Sequence, residues 1–304
     1  MTAGRTVVVL CLAGGLLAAR AAAQEKPRDY RGELRQIESQ QRRKRYRECI
    51  AMCEKMLAHF QEAWQVKEVT RLKIENLILD TQYEAALKAM AELARAYGAD
   101  KPLRTAAALR TGDVQRMLKR FDEAVATYRK LAAGCAKDQP DQAAEALLRA
   151  GEVLSSDGKR PEEAVAVYQD LEGKFGAADP RRAAEALRRI AAAHETQTKD
   201  PAKAAEAYRT LTARYASVYD ESTLSGLHGK AIDALLAAKR PAEAIAAAKK
   251  AEADLTTASR KASFALRHGD VLIEMKRLAE ARAEYGRAIC SYPLERKSCQ
   301  SAQA

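Results

Sequence analysis

Six lysines, Lys44, Lys119, Lys159, Lys199, Lys239 and Lys276, recur along this chain at near-regular intervals, and an arginine follows five of them at Arg45, Arg120, Arg160, Arg240 and Arg277. Like charges returning at one structural position are what an anionic polymer recognises, because each neutralised phosphate or carboxylate releases a condensed counterion. The chemistry expected of such a ladder is electrostatic and salt-sensitive binding of nucleic acid or an acidic glycan. A second account needs no ligand: a cation at the C-terminal end of a helix offsets its dipole by about 0.3–1 kcal/mol, and that alone can recur in every copy of a repeat. The charge alternates along the chain, residues 101–140 summing to +5 and residues 141–180 to −5, so no uniformly basic face is implied.

The remaining reactive side chains do not assemble into a catalytic or metal-binding pattern. Gly229-Lys230 has Leu224 where a phosphate-binding loop needs its first glycine, and Ala231 where it needs Ser or Thr. No G-x-S-x-G, H-E-x-x-H or C-x-x-C is present. His59, His194, His228 and His268 are far apart in sequence, which suits packing or solvent contact rather than a shared metal. Acidic pairs such as Asp122/Glu123 and Glu162/Glu163 fall in the first turn of a helix, where they favour its dipole. The run Arg42-Arg43-Lys44-Arg45 has only Tyr46 as an aromatic neighbour and reads first as a solvated helix end. The expectation is a protein without catalytic residues, cofactor, metal or small-molecule substrate.

What positions the ladder is a repeat. A small residue stands five places after each lysine, at Cys49, Ala124, Ala164, Ala204, Ala244 and Ala281, and Ala86 follows Thr81 in the same way, giving steps of 37, 38, 40, 40, 40 and 37 residues. Four residues beyond the anchor comes an aromatic at Tyr128, Tyr168, Tyr208 and Tyr285, or Cys53, Met90 and Ala248, which places anchor and ring on one helix face. These tyrosines are expected to be buried. Gly112 and Gly269 precede their anchors by twelve residues and Gly151 by thirteen, and glycine inside a helix points to a close approach of two helices. Second helices are expected to start near Tyr46, Tyr83, Phe121, Pro161, Pro201, Pro241 and Leu278, with each proline in the first turn. Aspartate beside proline at Ala99-Asp100-Lys101-Pro102, Asp138-Gln139-Pro140-Asp141 and Asp179-Pro180 is expected to end one helix and cap the next. Pro293 ends the last repeat.

The small-x3-aromatic step followed by proline resembles the second half of the tetratricopeptide repeat, whose pattern is W-x2-L-G-x2-Y, then A-x3-F, then P. In the first half, Ala108, Leu147 and Ala265 stand in place of the tryptophan, and Thr111, Ala150 and His268 in place of the leucine. The resemblance implies an all-α, right-handed α-α superhelical solenoid of about seven helix pairs, similar to the repeats of envelope proteins such as the tetratricopeptide subunit of the outer-membrane barrel-assembly machine. It implies a scaffold that holds a protein or peptide partner. Family members that clamp a C-terminal carboxylate carry Lys three places before the glycine and Asn one place after it. Here those places hold Leu109, Leu148 and Leu266, then Asp113, Glu152 and Asp270, so that ligand class is not implied.

The chain opens with Arg5, an apolar run from Val7 to Ala19 and the small residues Ala21-Ala22-Ala23, as a secretory signal does, with cleavage expected after Ala23. A run this short falls below the ~20 residues a spanning helix needs, and no later stretch is long and apolar enough to insert. Removing residues 1–23 lowers the net charge from +11 to +9 and leaves five cysteines. Cys49 and Cys53 occupy core slots, Cys135 lies at a helix end, and Cys290 and Cys299 meet only if the tail folds back past Pro293. The expected organisation is a signal at 1–23, an N-terminal capping helix pair at 24–60, helical repeats at 61–293 and a frayed tail at 294–304. The expected function is that of an exported adaptor, periplasmic or secreted, mediating protein–protein interaction in the cell envelope. The alternatives are a binder of an anionic polymer through the ladder Lys119, Arg120, Lys159, Arg160, Lys199, Lys239, Arg240, Lys276 and Arg277, and an accessory domain of a cell-wall enzyme.

Overall fold

A computed structural model describes residues 29–292, so the signal region, Pro293 and the tail with Cys299 lie outside the described residues. The described residues form fourteen α-helices and no strand. They divide into two units, one ending at Tyr97 and one beginning at Gly98. The first unit holds α1 (Tyr30–Arg42), α2 (Tyr46–His59), α3 (Ala63–Leu79) and α4 (Tyr83–Ala96). The second holds α5 (Lys101–Met117), α6 (Phe121–Cys135), α7 (Pro140–Glu152), α8 (Pro161–Phe175), α9 (Pro180–Thr196), α10 (Pro201–Arg214), α11 (Glu221–Ala237), α12 (Pro241–Asp254), α13 (Ala258–Glu274) and α14 (Leu278–Ser291). Within each unit every helix packs on the next in sequence, which is the arrangement of stacked helical hairpins.

All seven second helices begin at the residues the repeat marks, from Tyr46 to Leu278. The anchor column is closed to solvent, with Cys49, Ala86, Ala124, Ala164, Ala204 and Ala244 fully buried and Ala281 nearly so. Tyr128, Tyr168 and Tyr208 are 1 % exposed. Tyr285 departs from the expectation and is only half-buried, because among the described residues no further helix follows α14 to cover its ring.

The glycines face these rings. A Cβ on Gly112 would lie 2.5 Å from Tyr128 Cε1, one on Gly151 2.3 Å from Tyr168 Cε1, and one on Gly269 2.5 Å from Tyr285 Cε1. The first helix therefore lacks a side chain where the tyrosine of its own second helix lies flat on its backbone. Tyr208 has Ala191 in the corresponding place, thirteen residues before its anchor.

The thirteen-residue spacing at Gly151 leaves one residue to be accommodated, and the chain does so by widening the helix. Val153–Asp157 forms a π-helical turn at the end of α7, so the surplus is absorbed before the hairpin begins. Of the expected aspartate caps, Asp100 and Asp179 accept from the N–H of Leu103 and of Arg182, both at 3.0 Å. Asp138 does not cap: α7 begins after Gln139, and the Asp138 carboxylate instead takes the Lys101 ammonium at 2.6 Å. Asp200 and Asp220 cap α10 and α11 without a sequence signal having singled them out.

The first described helix is polar but anchored. Ile37 is fully buried, and the Tyr30 ring stacks edge-on against Phe60 and Trp64 with centroids 5.0 and 5.1 Å away. The Tyr30 hydroxyl donates to Glu68 Oε2 at 2.7 Å, so α1 is tied to α3 as well as to α2.

Candidate functional site

The lysine column occupies one backbone conformation. Lys44, Thr81, Lys119, Lys159, Lys199, Lys239 and Lys276 all have φ between 51° and 60°, the left-handed region that favours glycine. Each is the residue at which a first helix turns into its second. At Lys119 the N–H donates to the Arg116 carbonyl (2.9 Å) and the N–H of Arg120 donates to the Gln115 carbonyl (2.8 Å), the paired bonds of a Schellman turn. The same pair recurs at Lys44, Thr81, Lys239 and Lys276. After Lys159 and Lys199 the second bond reaches one residue further back, from Arg160 to Leu154 and from Asp200 to His194, in the two hairpins with the longer spacing. The column is thus set by backbone geometry, and Thr81, which lacks the charge, keeps the conformation.

A non-glycine residue in this region costs about 1–2 kcal/mol. Replacing Lys119, Lys159 and Lys239 by Gly is therefore expected to stabilise the protein by about 0.5–1 kcal/mol per site once the extra unfolded-state freedom of glycine is counted. A thermal melt of the triple variant checks this, and an unchanged or lower midpoint would show the turns are not strained.

The arginines that follow the lysines are turned toward acids. Arg160 pairs with Glu163 and with Asp122 of the preceding hairpin, both at 2.5 Å, Arg240 with Glu243 at 2.5 Å and Arg277 with Glu280 at 2.5 Å. The Arg160 hydrogen bond holds the Glu163 carboxyl below its ordinary value, and Arg277 does the same to Glu280. These pairs are exposed and add little stability, but they offset the positive charge of the ladder at three rungs. The lysine side chains are exposed and have no ion pair among the described residues.

A second row of charges, which sequence reading did not find, runs across the first helices α5, α7 and α9. Asp113 takes Arg149 Nη1 on both oxygens (2.8 and 2.7 Å), Arg149 Nε reaches Glu145 (2.7 Å), and Glu145 takes Arg182 Nε (2.8 Å). Beside it, Glu152 takes Arg189 (2.8 Å), and Glu185 takes both Arg189 and Arg188 (2.6 Å each). Burial pushes the Glu145 carboxyl up, and the Arg182 and Arg149 hydrogen bonds override it, holding the group below its ordinary value. Glu185 behaves alike, with burial opposed and outweighed by Arg188 and Arg189. The arginines stand outermost, their side chains 33–49 % exposed against 21–27 % for the carboxylates beneath them. The available signal was separation: Asp113/Arg149, Glu145/Arg182 and Glu152/Arg189 are 36 or 37 residues apart, close to the repeat length.

The polar places after the glycines serve the tyrosines. Tyr128 donates to Asp113 (2.7 Å) and Tyr285 to Asp270 (2.6 Å), while Tyr168, whose partner would be Glu152, has a buried hydroxyl with no hydrogen bond. Leu109 and Leu148 pack on the core.

Clefts open between consecutive second helices, one of about 530 Å³ between α10 and α12 with His228 at its floor, and one of about 410 Å³ between α12 and α14 with His268. His228 is 2 % exposed, and its Nε2 lies 3.2 Å from Asp254 Oδ2 without hydrogen-bond alignment. Burial pushes this imidazole below its ordinary value despite Asp254. Among the described residues no three His, Cys, Asp or Glu side chains converge as metal donors. Cys49, Cys53 and Cys135 are buried with thiols pushed up, chiefly by burial and at Cys53 to about 12, which suppresses the nucleophilic thiolate. Cys290 is exposed. No described helix is long and apolar enough to cross a membrane.

Stacked helical hairpins, a repeated small anchor under a ring, and surfaces lined by paired charges define an α-α repeat scaffold. The sequence pattern of the tetratricopeptide repeat matches residues 106–133 and 145–176, which span α5–α6 and α7–α8. Residues 106–133 and 145–176 thus match the tetratricopeptide repeat, and the anchor column that runs through them continues in the hairpins on either side. Solved structures similar to it include BtubC from P. vanneervenii (16% identity over 73% of this chain and 90% of that one, TM-score 0.48). PilW, a type IV pilus biogenesis factor, shares 16% identity over 79% of this chain and 99% of its own, with a TM-score of 0.36. MamA shares 22% identity over 63% and 96%, with a TM-score of 0.36. A comparison with curated protein sequences yields no match.

Proposed function

We propose that this protein is an exported, non-enzymatic adaptor that holds a carboxylate-bearing segment of a protein partner against the first helices α5, α7 and α9. The observation that carries this reading is the row of Arg149 on α7 and Arg182, Arg188 and Arg189 on α9, outermost on two consecutive first helices and each held in place by a carboxylate, with Asp113 of α5 holding Arg149. Guanidinium groups already oriented by such pairs retain free N–H donors for an incoming carboxylate. The envelope location rests on the sequence of residues 1–23, with its basic start, apolar run and small-residue cleavage site.

Arg149→Ala combined with Arg189→Ala is expected to lower capture of the partner from an envelope extract by about tenfold or more, with helical content unchanged by circular dichroism. Undiminished capture by the folded variant would remove this surface from consideration. The exposed lysines favour a second reading, binding of an acidic polymer along the hairpin turns. In that case replacing Lys119, Arg120, Lys159 and Arg160 together flattens the salt dependence of binding to heparin, while the Arg149/Arg189 variant leaves it unchanged.

A further inference from the structure

A buried imidazole on α11 interrupts an apolar column of the repeat. Sixteen residues before the anchor, or seventeen in the two longer hairpins, the second unit has Ala108, Leu147, Leu187, His228 and Ala265. Ten residues after the anchors stand Gly134, Lys174, Arg214, Asp254 and Ser291, so the one carboxylate of that column falls in the hairpin that carries the imidazole. His228 is almost wholly buried, with its Nε2 3.2 Å from Asp254 Oδ2 of α12, yet Nε2 makes no hydrogen bond. Asp254 is already engaged, since the Lys250 ammonium lies 2.9 Å away. From α13 the neutral ring of Phe264 meets the imidazole edge-on, with centroids 6.2 Å apart. Across the cleft α10 presents Arg209, paired with Glu243 at 2.9 Å, and Glu206, which is exposed to water.

We propose that His228 and Asp254 make the hairpin of α11 and α12 an acid-sensitive joint, closed while the imidazole is neutral and loosened when it takes a proton. A protonated ring in this place is a buried charge whose one nearby carboxylate is shared with Lys250, so it is stabilised less than in water. Protonation therefore favours the opened hairpin, where water solvates the cation. Burial holds the imidazole below its ordinary value even with Asp254 beside it, which agrees with this direction. The closed hairpin binds fewer protons than the opened one, so its stability is fully present above the ordinary histidine value, about pH 6.5, and is lost as the pH falls below it. One proton sets the limit at about tenfold in the open-to-closed ratio per pH unit. Burial also pushes down the imidazole of His194, but that residue lies on α9 in the preceding hairpin, and its Nδ1 has Thr198 Oγ1 at 2.9 Å, so a local measurement separates the two.

Amide hydrogen exchange of the full chain, read at about pH 7.5 and about pH 5.5 and corrected for the intrinsic rate, tests this. Protection in residues 221–254 is expected to fall about threefold to tenfold more than in residues 101–135, a hairpin without histidine. His228→Leu, which installs the residue found at Leu147 and Leu187, is expected to abolish the excess, and so is His228→Gln, whose side chain is polar but does not titrate. Asp254→Asn removes the compensating charge and is expected to deepen the fall. Circular dichroism at the higher pH reports whether each variant folds. The unaltered chain supplies an independent reading: the His228 Cε1–H resonance is expected to titrate below about pH 6.5. Equal loss of protection in the two hairpins overturns the proposal, as does an excess that persists in the folded His228→Leu and His228→Gln variants, or a His228 ring that titrates at or above the ordinary value.

Discussion

Tyr168→Ala is expected to cost the protein about 3–5 kcal/mol of stability, read as a fall in the urea midpoint with the slope retained. The ring is 1% exposed, lies on the bare backbone of Gly151 and is covered by the next hairpin, so its removal leaves a cavity between two first helices that cannot close without moving the stack. The hydroxyl separates the tyrosines from one another. Tyr168→Phe removes a buried group with no hydrogen bond and is expected to be neutral or slightly stabilising, whereas Tyr128→Phe loses the bond to Asp113 and is expected to cost about 1 kcal/mol. A silent Tyr168→Ala, or equal effects of the two Phe substitutions, would mean that these rings do not hold the hairpins together.

Gly151→Ala runs against helix propensity and gives the second large effect. In an exposed helix this change stabilises by about 1 kcal/mol. Here the new methyl would lie 2.3 Å from Cε1 and 2.6 Å from Cζ of Tyr168, and the ring has no free space into which to move. The expected outcome is a net loss of about 1–3 kcal/mol, largely relieved when Tyr168 is also shortened to Leu. The double-mutant cycle is the measurement: additive effects would place the clash elsewhere.

The anchors, the start of every second helix and the close approach at the glycines were legible in the sequence because a repeat reports the same packing constraint several times over; that the tyrosine rings are what the glycines meet was not. A small residue four places before an aromatic is weak in one copy and decisive when it returns in four, on an anchor that recurs seven times. The lysine column was equally visible, but its cause was not. A helix end and a left-handed turn residue look alike in sequence when the residue is lysine, and only glycine would have marked φ above zero; the structure assigns the recurrence to the Schellman turn. Tyr285 was expected among the buried rings, and its partial exposure follows from its place at the end of the described stack. The charge row on α5, α7 and α9 was missed for another reason. Pairs such as Glu145/Arg182 join different hairpins, and nothing local distinguishes those acids from the many that serve helix dipoles.

The π-helical turn at Val153–Asp157 bears on how such an array tolerates change in length. The steps between anchors vary from 37 to 40 residues, yet the anchors and the starts of the second helices stay in phase. In the two hairpins with an extra residue, the widening falls just before the left-handed turn, and Lys159 and Lys199 still occupy that turn. A one-residue insertion there changes only the local winding of a helix end, while the next helix enters with its small residue still facing inward. The turn acts as a resetting point for reading frame in three dimensions. Units duplicated from one ancestor can then gain or lose residues ahead of each turn independently, without an insertion in one unit displacing the core of those that follow.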